Sequence, residues 1–220
     1  MQNSSEIWDD LFSGGNFVWR EPHELVVNLH SPLKKIGAES VLDLGCGAGR
    51  HLVFLSDLDF ICYGIDIAFA GLEVAKTWLI SEGFEVRLSQ GEMHLLPYAS
   101  CSFDAVVCLY VIYHGTVEKI KNALDEIYRV LKPGGLSLLT FISDQHHRYG
   151  KGREIESNTF ITDVGADAGI PHHFYGREEL VWMVRRFKIA EMKLLARVNK
   201  EGQLESHWAV RLGKPARQQK

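Results

Sequence analysis

The chain has 220 residues, 46% of them hydrophobic, and a formal net charge of −4. That length buries one sizeable α/β core and argues against two. The mild negative charge gives no broad attraction to a phosphate backbone, and the only basic stretch, 214–220, reads as a solvated terminus. Residues 1–6 lack the basic start of a secretory leader, and the longest apolar run, 105–113, is too short to span a bilayer. A soluble, cytoplasmic protein is expected. Cys46, Cys62, Cys101 and Cys108 form no C-x-x-C pair and read as reduced packing residues.

In chain order, residues 1–37 carry Trp8, Phe12, Phe17 and Trp19 ahead of the first clear strand and read as a cap or lid. Strands are expected at 40–44, 61–67, 85–90, 103–109 and 135–142, alternating with helical patterns across a core at 38–142. Ile120, Ala123, Leu124, Ile127, Val130 and Leu131 recur at helical spacing, so 117–131 should be amphipathic, stopped by Lys132-Pro133-Gly134-Gly135. Residues 143–176 are rich in Gly, His and charge without clear periodicity, as an insertion over the mouth of a site would be. A helix starts near Gly176, and the runs 188–198 and 206–212 flank Asn199-Lys200-Glu201-Gly202-Gln203 as a hairpin, closing the final unit at 177–213. The predicted fold is α/β: one Rossmann-like, doubly wound, seven-stranded, mostly parallel sheet ending in an antiparallel hairpin, with helices on both faces.

The chemistry begins at Val41-Leu42-Asp43-Leu44-Gly45-Cys46-Gly47-Ala48-Gly49-Arg50, a strand running through alternating glycines into a helix. Glycine takes positive φ and lets the backbone approach a nucleoside closely. Arg50 stands where a dinucleotide site has its last glycine, which favours a smaller cofactor without a pyrophosphate. About 20 residues on, Asp66 ends the second strand, where a carboxylate meets ribose hydroxyls; its alternative is a cap for the helix starting near Ala68. After the third strand, Glu92 can accept from an exocyclic amine and Met93 can lie on a purine face.

Together with Leu95-Leu96-Pro97-Tyr98, Ser102-Phe103-Asp104-Ala105-Val106-Val107 and Glu126-Ile127-Tyr128-Arg129-Val130-Leu131-Lys132-Pro133-Gly134-Gly135, these motifs resemble class I S-adenosylmethionine-dependent methyltransferases. The small-molecule, methyltransferase type 11-like subgroup fits best, and the likeness is close over 38–142. The resemblance implies S-adenosylmethionine as cofactor, with S-adenosylhomocysteine as product. Gly45, Cys46 and Gly47 would pass beneath it, Asp43 would lie near its amino-acid moiety, and Arg50 could reach its carboxylate. Asp66 would hold the ribose, Ile67 would lie on the adenine, and Glu92 and Met93 would sit at the adenine edge, where the family more often has Asp-Ala. Leu109 and Tyr110 would lie by the methionine portion.

A sulfonium already carries an activated methyl, so the protein must align a nucleophile and exclude water. Trp8, Phe17, Trp19, His173 and Tyr175 are the expected substrate-facing residues; for the aromatics, packing of a cap helix on the sheet is the alternative. If the acceptor loses a proton, Tyr113 and His114 are the candidate bases, with His114 first. His172 and His173 show no third ligand nearby, so no metal is expected. Asp104 is assigned no catalytic role.

Two rivals remain at this level: a nicotinamide-dependent oxidoreductase, opposed by the missing glycine, and a non-catalytic cofactor-binding partner protein. A nucleic-acid methyltransferase is disfavoured because Leu109-Tyr110-Val111-Ile112 replaces an Asn/Asp-Pro-Pro-aromatic tetrapeptide. The expected acceptor is a small molecule, with neither nucleic acid nor membrane as partner. Nothing in the sequence sets the acceptor's identity or the oligomeric state.

Overall fold

The computed structural model describes residues 3–15 and 18–216. Its centre is a run of parallel strands, β1 (Ser40–Leu44), β2 (Ile61–Asp66), β3 (Leu88–Gln90), β4 (Phe103–Cys108) and β5 (Leu131–Ile142). An antiparallel hairpin, β9 (Lys188–Val198) and β10 (Leu204–Gly213), completes one seven-stranded sheet in the order β3-β2-β1-β4-β5-β10-β9. The doubly wound sheet read from the sequence is therefore the observed one.

Side chains on β4 alternate between two cores: Ala105 and Val107 face one, Val106 and Cys108 the other. Helices α4 (Arg50–Asp57) and α5 (Phe69–Ser81) cover the first through Leu52, Leu55, Leu72 and Leu79. On the second face lie α6 (Val117–Val130) and α7 (Arg177–Met183). Thr116 caps α6, and Ile120, Ala123, Leu124, Ile127 and Val130 all turn inward, so the expected stripe forms. Coverage on both faces is why these strands read as near-continuous apolar runs.

Boundaries differ where pairing overrides propensity. The strand expected at 85–90 contracts to Leu88–Gln90, the only residues with partners on β2. β5 begins at Leu131, directly at the end of α6, because Leu131 already pairs with Phe103 of β4 and the Lys-Pro-Gly-Gly stretch is a register shift before Leu136 pairs with Ala105. The aperiodic insertion holds a separate three-stranded sheet, β6 (Arg153–Glu156), β7 (Thr159–Ile161) and β8 (Pro171–His173). Strands this short carry too few alternations to be read from sequence.

The N-terminal segment forms α1 (Ser4–Ser13), α2 (Glu24–Val27) and α3 (His30–Lys35). Asn3 and Glu6 form a reciprocal capping box on α1. Asp9 Oδ1 accepts from Ala70 N at 2.8 Å and Ser5 Oγ donates to the Ile67 carbonyl at 3.1 Å, pinning α1 across the end of β2. Phe17 lies outside the described residues. Cys46, Cys62, Cys101 and Cys108 are all free, and no helix among the described residues is long and apolar enough to cross a membrane.

Candidate functional site

All five parallel strands end on one edge, and the loops leaving that edge surround a cavity of about 660 Å³. Gly45 and Gly47 turn the chain at φ 76° and 50°. A Cβ on Gly47 would stand 2.8 Å from the Phe12 ring of α1, and one on Gly45 would collide with Val111. The loop is thus pressed between the lid helix and the chain that follows β4. Asp66 stitches it in place: Oδ2 accepts from Gly47 N at 2.7 Å and Oδ1 from Ala68 N at 2.8 Å. The carboxylate therefore does cap the turn before α5, while each oxygen keeps a second acceptor direction. Burial pushes its carboxyl up to about 6, with the two N–H bonds only partly offsetting it.

Asp43 lies beneath the loop, 2% exposed, and does not line the cavity. Its Oδ2 has no hydrogen-bond partner; the nearest cationic candidate, His51 Nδ1, is 3.7 Å away. His51 Nε2 accepts from His23 N at 3.3 Å. Because His23 Nδ1 accepts from Leu25 N, its Nε2 carries the proton and donates to the Tyr110 hydroxyl at 3.0 Å. Tyr110 itself sits at φ 61°, a conformation costly for a non-glycine residue, held by its N–H to Thr140 Oγ1. Arg50, first residue of α4, is half-enclosed over the Trp19 ring at 5.2 Å; burial lowers its pKa and Asp43 opposes that.

Ile67, Glu92 and Met93 line the same end of the cavity. Glu92 is half exposed and tied to His94 Nδ1 at 3.1 Å and Lys119 Nζ at 3.5 Å. The cavity also gathers Tyr113 and His114 with Trp8, the Trp8 and His114 rings 5.2 Å apart. Burial drives the Tyr113 hydroxyl far up, which opposes its ionisation. Burial, and then His172, hold the His114 imidazole well below its usual range.

Two expected substrate residues lie elsewhere. His173 and Tyr175 are fully buried and do not line the cavity. His173 Nδ1 meets Thr159 Oγ1 at 2.7 Å and its Nε2 meets Glu179 at 3.1 Å, while Tyr175 packs edge-on to Phe141. The alternation of β8 is the reason: with His172 turned towards the His114 ring, His173 faces the opposite way into the core. Beside His146 and His147, the weaker candidates for a base, Arg148, Asp167, Arg197, Glu205 and His207 line the cavity and are not marked out by the sequence. They come from the insertion and from the turn end of the hairpin, where only strand pairing, such as His207 opposite Ile142, decides what faces inward. Burial holds His146 down at about 3 and His207 at about 4, so both rings are neutral near pH 7.

A family model described as a methyltransferase domain matches residues 41–135, the segment that carries the glycine loop, Asp66 and the first five strands up to Gly135. Over that segment the chain is similar to S-adenosylmethionine-dependent methyltransferases. S-adenosylmethionine is the cofactor of that family. An uncharacterized methyltransferase, YcgJ of Bacillus subtilis, is 37% identical over 100 residues, 45% of this chain and 39% of that protein. A carboxy-S-adenosyl-L-methionine synthase of Campylobacter jejuni is 29% identical over 143 residues, covering 62% of this chain and 57% of its own length. The chain thus spans well under two thirds of these curated relatives. A SAM-dependent methyltransferase from Methanosarcina mazei superposes with a TM-score of 0.75 at 21% identity, over 90% of this chain and 100% of that one. That likeness establishes the fold.

Proposed function

We propose that this protein transfers a methyl group from S-adenosylmethionine to a small-molecule acceptor by in-line displacement at the sulfonium. The observation that carries the reading is Asp66, a buried carboxylate with one backbone N–H on each oxygen and a free acceptor direction on each, facing a glycine-floored cavity. A ribose diol offers two donors to such a group. Arg50, which lines the cavity, is a cation for the carboxylate of the amino-acid end, with Asp43 buried behind the loop rather than in contact with it. Ile67 and Met93 supply an apolar bed for the adenine, with Glu92 at its edge. Leu109 and Tyr110 follow β4 and flank the methionine portion.

The bound cofactor supplies the activated methyl on a positively charged sulfur. This chain's part is to exclude water and to aim the acceptor, which a cavity within the roughly 300–1,000 Å³ of small-molecule sites allows. Trp8 and Trp19 close it from the lid side. The acceptor end is close to neutral, because Arg148 is paired with Asp167, Arg197 with Glu205, and the imidazoles of His146 and His207 are uncharged. That lining favours an uncharged polar acceptor over a polyanion, in keeping with a small molecule and against nucleic acid.

Calorimetry with S-adenosylhomocysteine should give one-site binding, and NAD should give none. Incubation with S-adenosylmethionine and a panel of small phenols, thiols and amines should then yield S-adenosylhomocysteine together with an acceptor heavier by one methyl. Recovery of the cofactor itself carrying an added carboxyl group would overturn methyl transfer and align the chain with the synthase relative. Tight cofactor binding without any product would favour the non-catalytic partner reading.

A further inference from the structure

The backbone of His114 pairs with that of His172 in an antiparallel bridge, secured by His173 N to the Tyr113 carbonyl and Gly115 N to the Pro171 carbonyl. Residues directly opposite in such a pair send side chains to the same face. Accordingly the two imidazoles meet edge to face, with ring centroids 4.7 Å apart. Asp167, on the turn ahead of β8, reaches the same point: its Oδ2 lies 2.9 Å from His172 Nε2. One donor atom from each of the three residues lies within 4.8 Å of the others.

His172 is held between two acceptors: its Nδ1 is 2.9 Å from the Ile170 carbonyl and its Nε2 is 2.9 Å from the Asp167 carboxylate. With one N–H given to the carbonyl, Nε2 and the carboxylate oxygen are left side by side as two donor atoms that can share a proton or ligate one ion. An imidazole whose far nitrogen donates to a backbone carbonyl is also the usual orienting arrangement for a metal-ligating histidine. Arg148 binds Asp167 through both oxygens, at 2.9 and 3.0 Å, and fixes the carboxylate plane while leaving the second acceptor direction of Oδ2 towards His172.

We propose that His114, His172 and Asp167 bind one divalent first-row transition-metal ion at the acceptor end of the cavity. Two imidazoles and one carboxylate suit Zn²⁺, Fe²⁺, Co²⁺ or Mn²⁺ and not Ca²⁺ or Mg²⁺, which prefer all-oxygen shells. The His172–Asp167 separation matches two adjacent ligands about 90° apart on an ion bound at about 2.1 Å, and His114, within 4.8 Å, closes on it with about 1–2 Å of ring movement. Asp167 is the third ligand that the sequence did not reveal, because it lies in the aperiodic turn before β8. His114 and Asp167 line the cavity, so the positions left open on the ion face the acceptor space. Ion binding stands independently of methyl transfer; only the use of those open positions to hold an acceptor oxygen, sulfur or nitrogen rests on that reading.

The test uses the full chain stripped of metal by chelator, titrated with Co²⁺ followed by visible absorption and with Zn²⁺ by calorimetry. One ion per chain is expected. Asp167→Asn and His114→Gln should each weaken it by roughly tenfold or more, with His146→Gln within twofold of the parent. Calorimetry with S-adenosylhomocysteine on the same variants reports folding and fails separately if the cofactor assignment is the one at fault. The proposal is overturned if no ion binds, if both ligand variants bind as tightly as the parent, or if only His146→Gln loses the ion. In the first case the Arg148, Asp167 and His172 contacts are an ionic cluster and nothing more.

Discussion

Asp66 and Asp104 lie on the two strands that flank β1, one at the C-terminal edge of the sheet and one at the N-terminal edge. Asp104 is saturated: it accepts from Glu39 N, Ser40 N, Ser40 Oγ and Lys132 Nζ at 2.8–3.2 Å. Burial pushes its carboxyl up, but the bonds from Lys132 and Ser40 outweigh that and bring it to about 2. Asp66 receives two backbone N–H bonds, and burial prevails at about 6. Residue type and strand context are the same; the difference is how many donors the protein itself supplies. A carboxylate with all its partners holds the fold, whereas one left short of donors is set for a ligand.

The largest effect should come from Asp66→Ala. Two hydrogen bonds from the ribose to a charged acceptor are worth about 1.5–3 kcal/mol each. S-adenosylhomocysteine affinity should fall by about a hundredfold or more in calorimetry. Retention of affinity within a few fold would remove Asp66 from the cradle and the comparison with it.

Glycines at the two edges give the next contrast. Gly47 and Gly134 both take positive φ, at 50° and 85°, but only Gly47 has a neighbour, Phe12, in the space of a Cβ. Either alanine substitution strains the backbone by roughly 1–2 kcal/mol. Gly47→Ala must also displace the lid ring, so cofactor affinity should drop by about tenfold as well. Gly134→Ala should lower the melting temperature and leave the cofactor isotherm unchanged.

The C-terminal edge was legible in the sequence because its parts are local. A strand, a glycine turn and an acid about 20 residues on form a single β-α-β unit, and short-range sterics dictate them. The acceptor end was not. Asp167 and His172 are brought to His114 by a sheet of three- and four-residue strands, and Arg197, Glu205 and His207 by hairpin register. His173 was misassigned for the same reason: a one-residue step along β8 exchanges the His114 side for the Thr159 and Glu179 side, and no signal in Pro171-His172-His173 says which histidine goes where.

The two acids should also respond to pH in opposite senses. The folded pKa of Asp66, about 6, lies above its unfolded value, so its contribution to stability is full below about 3.8 and is lost as pH rises through 6. The ribose needs the carboxylate, however. Cofactor affinity should therefore weaken by up to about tenfold per pH unit below 6, with proton release on binding, seen by calorimetry in buffers of different ionisation heat. A flat affinity from pH 7 to 5 would mean that this carboxyl is already ionised in the free protein.

Asp104 runs the other way and gives the smallest effect. Its folded pKa, about 2, is below the unfolded value, so its contribution is present above about 3.8 and is lost as pH falls through 2. Asp104→Asn keeps one acceptor oxygen for the Ser40 cluster and leaves Lys132, 40% exposed, free to turn to water. Solvent relieves most of the orphaned charge, which limits the cost to about 1 kcal/mol in denaturant unfolding at pH 7. Cofactor affinity should not move, because the latch ties the start of β1 to β4 and β5 at the edge away from the cavity. If affinity instead falls in step with stability, the two edges are coupled through β1, and the division between a carboxylate that holds the fold and one that binds does not hold.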